Sequence, residues 1–424
     1  MIRRPPRSTH CISSAASDVY KRQIMKKLSI SNEKKILLIV MDGVGDIEID
    51  DVDTIGTPLA VANKPNIDKL SRKSALGEGI PVDIGITPGS GPAHLSLFGY
   101  DPLKYDIGRG VLEAAGIGLK IKKGNIAIRG NFATIDDNRI VVDRRAGRIS
   151  TEKNKELIDY LRGKIKNIED VNVEFYAGKE HRCVIVLRGE GLYDNTNDTD
   201  PQKDGKKILR AKANDNKSAK TAKICNKLSD EIISVLKSFH PANALLMRGI
   251  SNPPDLPSMN ELFNLKSVCI ATYPMYKGLA HIVGMDVIND LFTITEQIER
   301  LKENYDKYDF FYFHIKKTDS YGEDGNYGGK IQVIEEFDKY FMEITDMNFD
   351  LIVITGDHST PWRMKGHSFH TTPIMFYSKY FLRFRDNLEF NENNCQKGSI
   401  GTIYSKDLMQ LMLGHTLKLL KYGA

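Results

Sequence analysis

The sequence predicts an α/β protein built on a doubly wound, mostly parallel sheet. Three short apolar runs, Ile36–Met41, Phe310–Ile315 and Leu351–Thr355, each lead into a segment that carries acidic residues. Apolar runs this short are typical of strands that are buried on both faces. Segments with helical periodicity alternate with such runs along the chain, and this alternation is typical of a parallel sheet.

The composition limits the class of protein. The chain has 424 residues, of which 41% are hydrophobic and 27% are charged, with a formal net charge of +5. These values fit an ordinary globular protein with one large or two moderate domains. The mild charge does not by itself indicate nucleic acid, and it fits arginines gathered around an anionic substrate. Five cysteines without CxxC spacing indicate reduced thiols.

Membrane and targeting signals are missing from the sequence. No apolar run approaches the roughly 18 residues of a membrane span, so we expect a soluble, cytoplasmic protein without a membrane partner. Residues 3–23 show neither hydrophobic periodicity nor the apolar core of a signal peptide, and they resemble a translated sequencing adaptor. A transit peptide is the alternative, because Arg and Ser are frequent there. We expect residues 1–33 to be a non-native or disordered extension.

The residue pattern of the sequence changes near residue 110, and the original pattern of apolar runs returns near residue 270. Basic, glycine-rich segments, strand-like runs at 172–176 and 182–188 and a helical stripe at 213–239 lie between these points. We therefore predict a discontinuous catalytic domain over 34–109 and 271–424, interrupted by an α+β domain over 110–270. Further helices are predicted from Pro65 and at 151–163, 293–304, 331–345 and 406–422.

Three predicted strands end in acidic residues. The carboxyl ends of parallel strands share one edge of a sheet, so we expect these acids to converge with a serine and a histidine from nearby loops. Such a set contains more ligands than one metal ion requires. It suits a site for two Mn²⁺, Zn²⁺ or Mg²⁺ ions that would bind the attacking and leaving oxygens of a phosphoryl transfer. Loop acids satisfied by backbone N–H groups are the alternative for any single residue. The residues are Asp42, Ser90, Asp319, Glu323, Asp357, His358 and His367.

Ser90 lies in a tight turn between glycine and proline residues, and Pro92 suits the first turn of a helix. A hydroxyl group at a helix N-terminus is surrounded by backbone N–H groups, which favour a phosphate. A simple N-cap is the alternative role for this serine.

Six motifs stand in a consistent order along the chain: Ile39–Asp46, Thr87–His94, Asp143–Arg148, Thr272–Gly278, Lys317–Asp319 and Thr355–Pro361. Together they closely resemble one family, the archaeal-type, cofactor-independent phosphoglycerate mutases of the alkaline phosphatase superfamily. The resemblance runs from about residue 34 to the C-terminus. It implies a sheet of the alkaline phosphatase type with an inserted lid domain. It also implies interconversion of 3-phosphoglycerate and 2-phosphoglycerate without 2,3-bisphosphoglycerate, in glycolysis and gluconeogenesis.

The resemblance implies roles for the site residues. Ser90 would be the nucleophile that forms a phosphoserine, and the neighbouring His94 could shuttle a proton. One metal would be held by Asp42, Ser90, Asp357 and His358, and the other by Asp319, Glu323 and His367. His370 is expected beside these ligands and not among them.

Glu323 departs from the family pattern, because many relatives carry histidine at this position. Carboxylate is a harder ligand than imidazole, so we favour Mn²⁺ or Mg²⁺, with Zn²⁺ and Co²⁺ as alternatives. Asp324 or a water molecule could complete the metal shell instead of Glu323.

The substrate carries a phosphate and a carboxylate, so we expect arginine forks in the inserted domain. That domain would close as a lid and exclude water, which would otherwise accept the phosphoryl group. For Arg129 and Arg182 a solvated face is the alternative. The candidate substrate ligands are Arg129, Asp143, Arg144, Arg145, Arg148, Arg182, Arg210 and Lys277.

Two other functions compete with the mutase. The first is a phosphomonoesterase, or a mutase that acts on another phosphorylated metabolite. The second is a non-catalytic protein that binds anions or nucleic acid, which is disfavoured because no aromatic stacking platform interleaves the basic residues. The sequence leaves the oligomeric state open.

Overall fold

The computed structural model describes residues 23–48, 56–105 and 107–423. These residues divide into two compact units. The first unit contains the described residues up to Lys104, with Pro257–Tyr273 and the chain from Ala280 onwards. The second unit contains Tyr105–Leu256 and Pro274–Leu279. No helix in the described ranges is long and apolar enough to span a bilayer.

The described residues contain fourteen strands, which are numbered in chain order. They are β1 Ile36–Met41, β2 Ala75–Ile80, β3 Ile126–Ile135, β4 Val141–Asp143, β5 Asn167–Ile168, β6 Val171–Ala177, β7 Arg182–Arg188, β8 Ala244–Ser251, β9 Ser267–Ile270, β10 Asp286–Val287, β11 Phe310–Ile315, β12 Leu351–Thr355, β13 Thr372–Ser378 and β14 Gly401–Tyr404.

Helices separate most of these strands. They span Pro58–Val61, Pro65–Ser71, Ser90–Leu97, Arg109–Gly116, Thr151–Lys164, Ala219–Leu236, Met259–Phe263, Pro274–Ile282, Ile294–Asn304, Lys317–Asp324, Tyr327–Asp346, Glu392–Gln396 and Leu408–His415, with 3-10 turns at Ala146–Arg148 and Ser405–Asp407.

The first unit contains a sheet of eight strands in the order β10-β9-β11-β1-β12-β13-β2-β14. Only the pairs β12–β13 and β13–β2 are antiparallel, so the predicted doubly wound, mostly parallel sheet is confirmed. All six residues of β1 are buried, and the strand lies between β11 and β12. This central position explains the unbroken apolar run, because both faces of the strand are covered.

The second unit contains an antiparallel sheet in the order β4-β3-β7-β6-β5, with β8 paired to β3. The predicted stripe of the long helix Ala219–Leu236 packs into its core through Ile224, Leu228 and Ile232. The helix is shorter than the predicted 213–239.

The second unit ends earlier than the sequence analysis placed the insert. Residues 257–270, which we assigned to the insert, belong to the first unit because β9 pairs in parallel with β11. The change in composition near residue 270 therefore does not coincide with the structural boundary at Leu256.

Both ends of the first unit also differ from expectation. Residues 23–28 are helical, Ser29 forms a bridge with Leu419, and the N–H of Ile30 donates to the carbonyl of Lys418 at 2.9 Å. The expected extension is therefore too long at residues 23–33, and its residues 1–22 lie outside the described ranges. The closing helix ends at His415 and not at residue 422, because Leu417 adopts a left-handed φ of 53°.

Candidate active site

Two neighbouring strands place Asp42, Asp357 and His358 side by side. Asp42 follows β1, and Asp357 and His358 follow β12 after Gly356. The Nε2 atom of His358 lies 3.4 Å from Asp42 Oδ1 and 3.2 Å from Asp357 Oδ2. All three side chains are fully buried. The N–H of Gly43, which has a φ of 58°, donates to Asp357 Oδ1 at 3.0 Å.

A second group of candidate ligands comes from the chain after β11 and from a loop. Asp319 and Glu323 lie on the helix Lys317–Asp324, and their spacing of four residues places them on one face. The Nε2 atom of His367 lies 3.7 Å from Asp319 Oδ1 and 3.9 Å from Glu323 Oε1. The side chain of Glu323 is 54% exposed, whereas that of Asp319 is buried. Asp324 is exposed on the same helix.

The donor atoms fit a two-metal centre. Asp42, Asp357 and His358 form one group and Asp319, His358 and His367 another, and within each group the ligand atoms lie within 4.8 Å of one another. The rings of His358 and His367 stack with centroids 3.6 Å apart. Carboxylate and imidazole donors suit divalent Mn²⁺, Mg²⁺ or Zn²⁺. Three buried carboxylates so close together also need positive charge nearby.

Ser90 is the first residue of the helix Ser90–Leu97, whose N-cap is Gly89. Because Gly89 occupies the cap position, Ser90 does not act as the N-cap. Its Oγ lies 3.3 Å from Nε2 of His358. The hydroxyl group therefore lies against the ligand that both groups share.

His94 lies one turn after Ser90 and is fully buried. Its Nδ1 lies 2.9 Å from the backbone carbonyl oxygen of Ser90 and 3.1 Å from Asp357 Oδ2. Burial opposes the charged imidazole, but the charge and hydrogen bond of Asp357 outweigh it and raise the pKa of His94. The imidazole contacts the carbonyl group of Ser90, and the proton shuttle stays a prediction.

Three residues that the sequence analysis missed complete the first-unit site. The Nζ atom of Lys316 lies 3.1 Å from Asp42 Oδ2 and also contacts Asp319 Oδ2. His314 Nε2 lies 3.3 Å from Asp42 Oδ2, and Thr360 Oγ1 lies 2.7 Å from Asp319 Oδ1. Burial opposes the charge on Lys316, but the two carboxylates raise the pKa of its ammonium group. A signal existed for His314 and Lys316, since polar residues at the end of an apolar strand are unusual.

His370 does not join either ligand group. Its Nδ1 lies 3.0 Å from the hydroxyl oxygen of Ser368, and its ring stacks on Phe369. The expectation that His370 lies beside the ligands stays a prediction.

In the second unit, arginines surround a cavity of about 340 Å³. The cavity collects five of the predicted arginines, and it adds Arg248 and His181, which the sequence analysis missed. Arg248 interrupts the apolar run of β8, and this was the available signal. The lining residues are Arg129, Asn131, Arg144, Arg145, Arg148, Glu180, His181, Arg182 and Arg248.

Three candidate substrate ligands do not line this cavity. Arg210 forms an ion pair with Asp230 at 2.8 Å. The carboxylate of Asp143 accepts the N–H groups of Arg145 and Gly147 at 2.8 and 2.6 Å, so it orders the loop that carries the arginines. Lys277 lies half-buried on the helix Pro274–Ile282.

The fold and the site together define a class of protein: a doubly wound α/β protein with a candidate two-metal centre beside a serine. A family model described as 2,3-bisphosphoglycerate-independent phosphoglycerate mutase matches residues 71–243. A probable 2,3-bisphosphoglycerate-independent phosphoglycerate mutase from Thermosipho melanesiensis is 51% identical over 405 residues, covering 95% of this chain and 99% of the relative. One from Thermus thermophilus is 48% identical over 404 residues, with the same shares covered. The chain belongs to the family of 2,3-bisphosphoglycerate-independent phosphoglycerate mutases.

Solved structures agree with this assignment. A protein from Pyrococcus horikoshii matches with a TM-score of 0.78 and 28% identity, over 93% of this chain and 100% of its own. The cofactor-independent phosphoglycerate mutase from Thermoplasma acidophilum matches with a TM-score of 0.70 and 30% identity, over 90% of this chain and 100% of its own. The family that the sequence motifs indicated is therefore confirmed.

Proposed function

We propose that this protein interconverts 3-phosphoglycerate and 2-phosphoglycerate, an isomerase reaction of glycolysis and gluconeogenesis, without 2,3-bisphosphoglycerate. The position of Ser90 carries the proposal, because its Oγ lies 3.3 Å from Nε2 of His358, the ligand that both groups share. A serine hydroxyl needs such an environment to act as a nucleophile at neutral pH.

The reaction is an exchange between Ser90 and the two hydroxyl groups of glycerate. Ser90 Oγ loses its proton and bonds to phosphorus as the bond between phosphorus and the first glycerate oxygen breaks, and that oxygen takes up a proton. The second glycerate hydroxyl then loses its proton and bonds to phosphorus, the Oγ–P bond breaks, and Oγ takes up a proton to restore the Ser90 hydroxyl group. No water is consumed, so exclusion of water separates a mutase from a phosphatase.

The proposed metal ligands extend the two groups by Ser90 and Glu323, and they assign His358, which both groups contain, to the first cation. Asp42, Ser90, Asp357 and His358 would hold one divalent cation, and Asp319, Glu323 and His367 the other. When bound, these cations lower the pKa of the serine hydroxyl and stabilise charge on the phosphoryl oxygens. The excess of carboxylate over imidazole favours Mn²⁺ or Mg²⁺ over Zn²⁺.

The second unit would serve as the substrate-binding unit through its arginine-lined cavity. Six of the nine lining residues are arginines, against one glutamate. Arg144 is already held by two hydrogen bonds to Asp200, at 3.0 and 2.8 Å, whereas Arg129, Arg182 and Arg248 make no such bidentate pair among the described residues. Guanidinium forks bind phosphate and carboxylate in two-pronged fashion. A substrate role for Lys277, a lid role for the second unit and a cytoplasmic location remain predictions.

Phosphorus NMR with 3-phosphoglycerate and Mn²⁺ tests the proposal. The wild-type protein should form 2-phosphoglycerate, Ser90→Ala should lose turnover, and Ser96→Ala on the same helix should retain it. Release of free phosphate in place of 2-phosphoglycerate would contradict the mutase and indicate a phosphomonoesterase. Full activity of Ser90→Ala would show that Ser90 is not the nucleophile.

A further inference from the structure

We propose that Thr360 is a positioning residue whose hydroxyl group joins the two ligand groups and orients His358 for metal binding. The inference rests on the proposed function, because it concerns the same metal centre. Thr360 lies in the loop after β12 and is fully buried. Its Oγ1 lies 2.7 Å from Asp319 Oδ1 and 2.9 Å from His358 Nδ1.

Counting protons assigns the direction of both hydrogen bonds. A threonine hydroxyl has one proton to donate, and an ionised carboxylate can only accept. The ammonium group of Lys316 also contacts Asp319, so this carboxylate acts as an acceptor. The hydroxyl of Thr360 therefore donates to Asp319 and accepts from His358, whose Nδ1 must carry the proton.

In the neutral imidazole, which carries a single ring proton, this assignment leaves Nε2 of His358 with its lone pair. The same Nε2 lies 3.4 Å from Asp42 Oδ1, 3.2 Å from Asp357 Oδ2 and 3.3 Å from Ser90 Oγ. Metal-ligating histidines usually donate their other ring N–H to a hydrogen-bond acceptor, and that bond sets the tautomer and the ring orientation. Thr360 supplies that acceptor, and it is itself bonded to a ligand of the other group.

The surrounding backbone holds Thr360 in place. Its N–H donates to the carbonyl of Gly45 at 3.0 Å, and its carbonyl accepts from Lys330 Nζ at 3.0 Å. A Cβ at Gly43 would come within 2.4 Å of the hydroxyl oxygen, and one at Gly322 within 2.5 Å of the carbonyl oxygen. The backbone hydrogen bonds and the close approach of the two glycines therefore fix Thr360 where its hydroxyl group contacts both partners.

Titration calorimetry of the metal-free protein with Mn²⁺ tests the assignment through a matched pair of variants. Thr360→Val keeps the shape and removes the hydroxyl group, whereas Thr360→Ser keeps the hydroxyl group. We expect Thr360→Val to weaken Mn²⁺ binding about 10- to 100-fold, the usual loss when the partner of a ligand is removed. Thr360→Ser should bind as the wild type does.

The outcomes separate this inference from the proposed function. Unchanged Mn²⁺ affinity in Thr360→Val, beside normal binding by the wild type, would overturn the role of Thr360 alone. A wild-type protein that binds no divalent metal would overturn the proposed metal centre itself.

A second measurement uses the wild-type protein and does not depend on how Thr360→Val folds. Nitrogen-15 NMR of labelled histidines, assigned with His358→Gln, reports which ring nitrogen of His358 carries the proton. We expect the proton on Nδ1 in the metal-free protein. A proton on Nε2 with a bare Nδ1 would overturn the assignment.

Discussion

Removing one partner of the buried ion pair between Lys330 and Asp46 should strongly destabilise the first unit. Both side chains are fully buried, and Lys330 Nζ lies 2.8 Å from Asp46 Oδ2. The same ammonium group donates to the carbonyls of Thr360 and Gly45 at 3.0 and 3.3 Å, so its three protons have three acceptors. Asp46 Oδ2 also accepts the N–H of Trp362 at 3.2 Å. The pair thus ties together the two loops that carry Asp42 and His358.

Removing one partner of the ion pair should lower the free energy of unfolding more than removing both. Lys330→Met leaves the carboxylate of Asp46 buried without its counter-ion, and such a loss destabilises a protein by about 3–5 kcal/mol. In the double variant Lys330→Met/Asp46→Asn no charge is left uncompensated, because neither residue is charged. We therefore expect it to be more stable than the sum of the single changes predicts, by about 0.5–3 kcal/mol.

The single tryptophan of the chain provides the assay. Trp362 packs against Tyr327, with ring centroids 5.2 Å apart, so its fluorescence reports unfolding at the ion pair itself. Denaturant titrations of the four proteins give the free energies of unfolding and the coupling between the two residues. Lys339→Met, at an exposed position of the same helix, is the control and should change stability by less than about 0.5 kcal/mol. A loss below about 1 kcal/mol in Lys330→Met, compared with the usual 3–5, would refute the reasoning.

Three further predictions concern the remaining site residues. Arg248→Gln should raise the KM for 3-phosphoglycerate about 10- to 100-fold, since a hydrogen bond to a charged group contributes about 1.5–3 kcal/mol. Arg210→Gln should leave this KM unchanged, because the guanidinium of Arg210 pairs with Asp230 and does not line the cavity. An equal rise of KM in both variants would contradict the assignment of the cavity as the substrate site. Burial and then the charge of Arg182 lower the pKa of His181 to about 4, which NMR titration can check. A histidine in the unfolded chain titrates near 6.5, so as the pH falls the unfolded chain binds this proton before the folded protein does. The free energy of unfolding should therefore decrease as the pH drops from about 6.5 to 4. A pKa of His181 near 6.5 in the folded protein would argue against this. Glu323→His should shift metal preference from Mn²⁺ towards Zn²⁺ in competition binding, and an unchanged preference would remove Glu323 from the ligands.

Local sequence determined the strands and the identity of most candidate ligands. A short apolar run such as Ile36–Met41 favours burial on both faces, which is typical of a strand inside a parallel sheet. The acid that follows it then lies at the carboxyl end, where the neighbouring parallel strands also end. Asp42, Asp357 and His358 could therefore be chosen from the sequence because their grouping follows from strand order and from local polarity.

The ends of helices could be predicted where the sequence contains a capping motif. Thr293 accepts a hydrogen bond from the N–H of Glu296, and the two side chains form the capping box that begins the helix Ile294–Asn304. The helix Lys317–Asp324, by contrast, has little apolar periodicity, and the sequence alone did not reveal it. Its position depends on packing, since Gly322 lies directly against the backbone of Thr360.

Only the tertiary structure decided which polar groups become partners. Lys330 and Asp46 are 284 residues apart, and Thr360 meets Asp319 across 41 residues, so no local pattern could pair them. The same holds for Arg248, which joins the cavity, and for Arg210, which pairs with an acid instead. A buried charge must find a partner wherever the fold provides one. The sequence by itself therefore determined which strand ends carry the reactive groups, and the fold determined what surrounds and orients them.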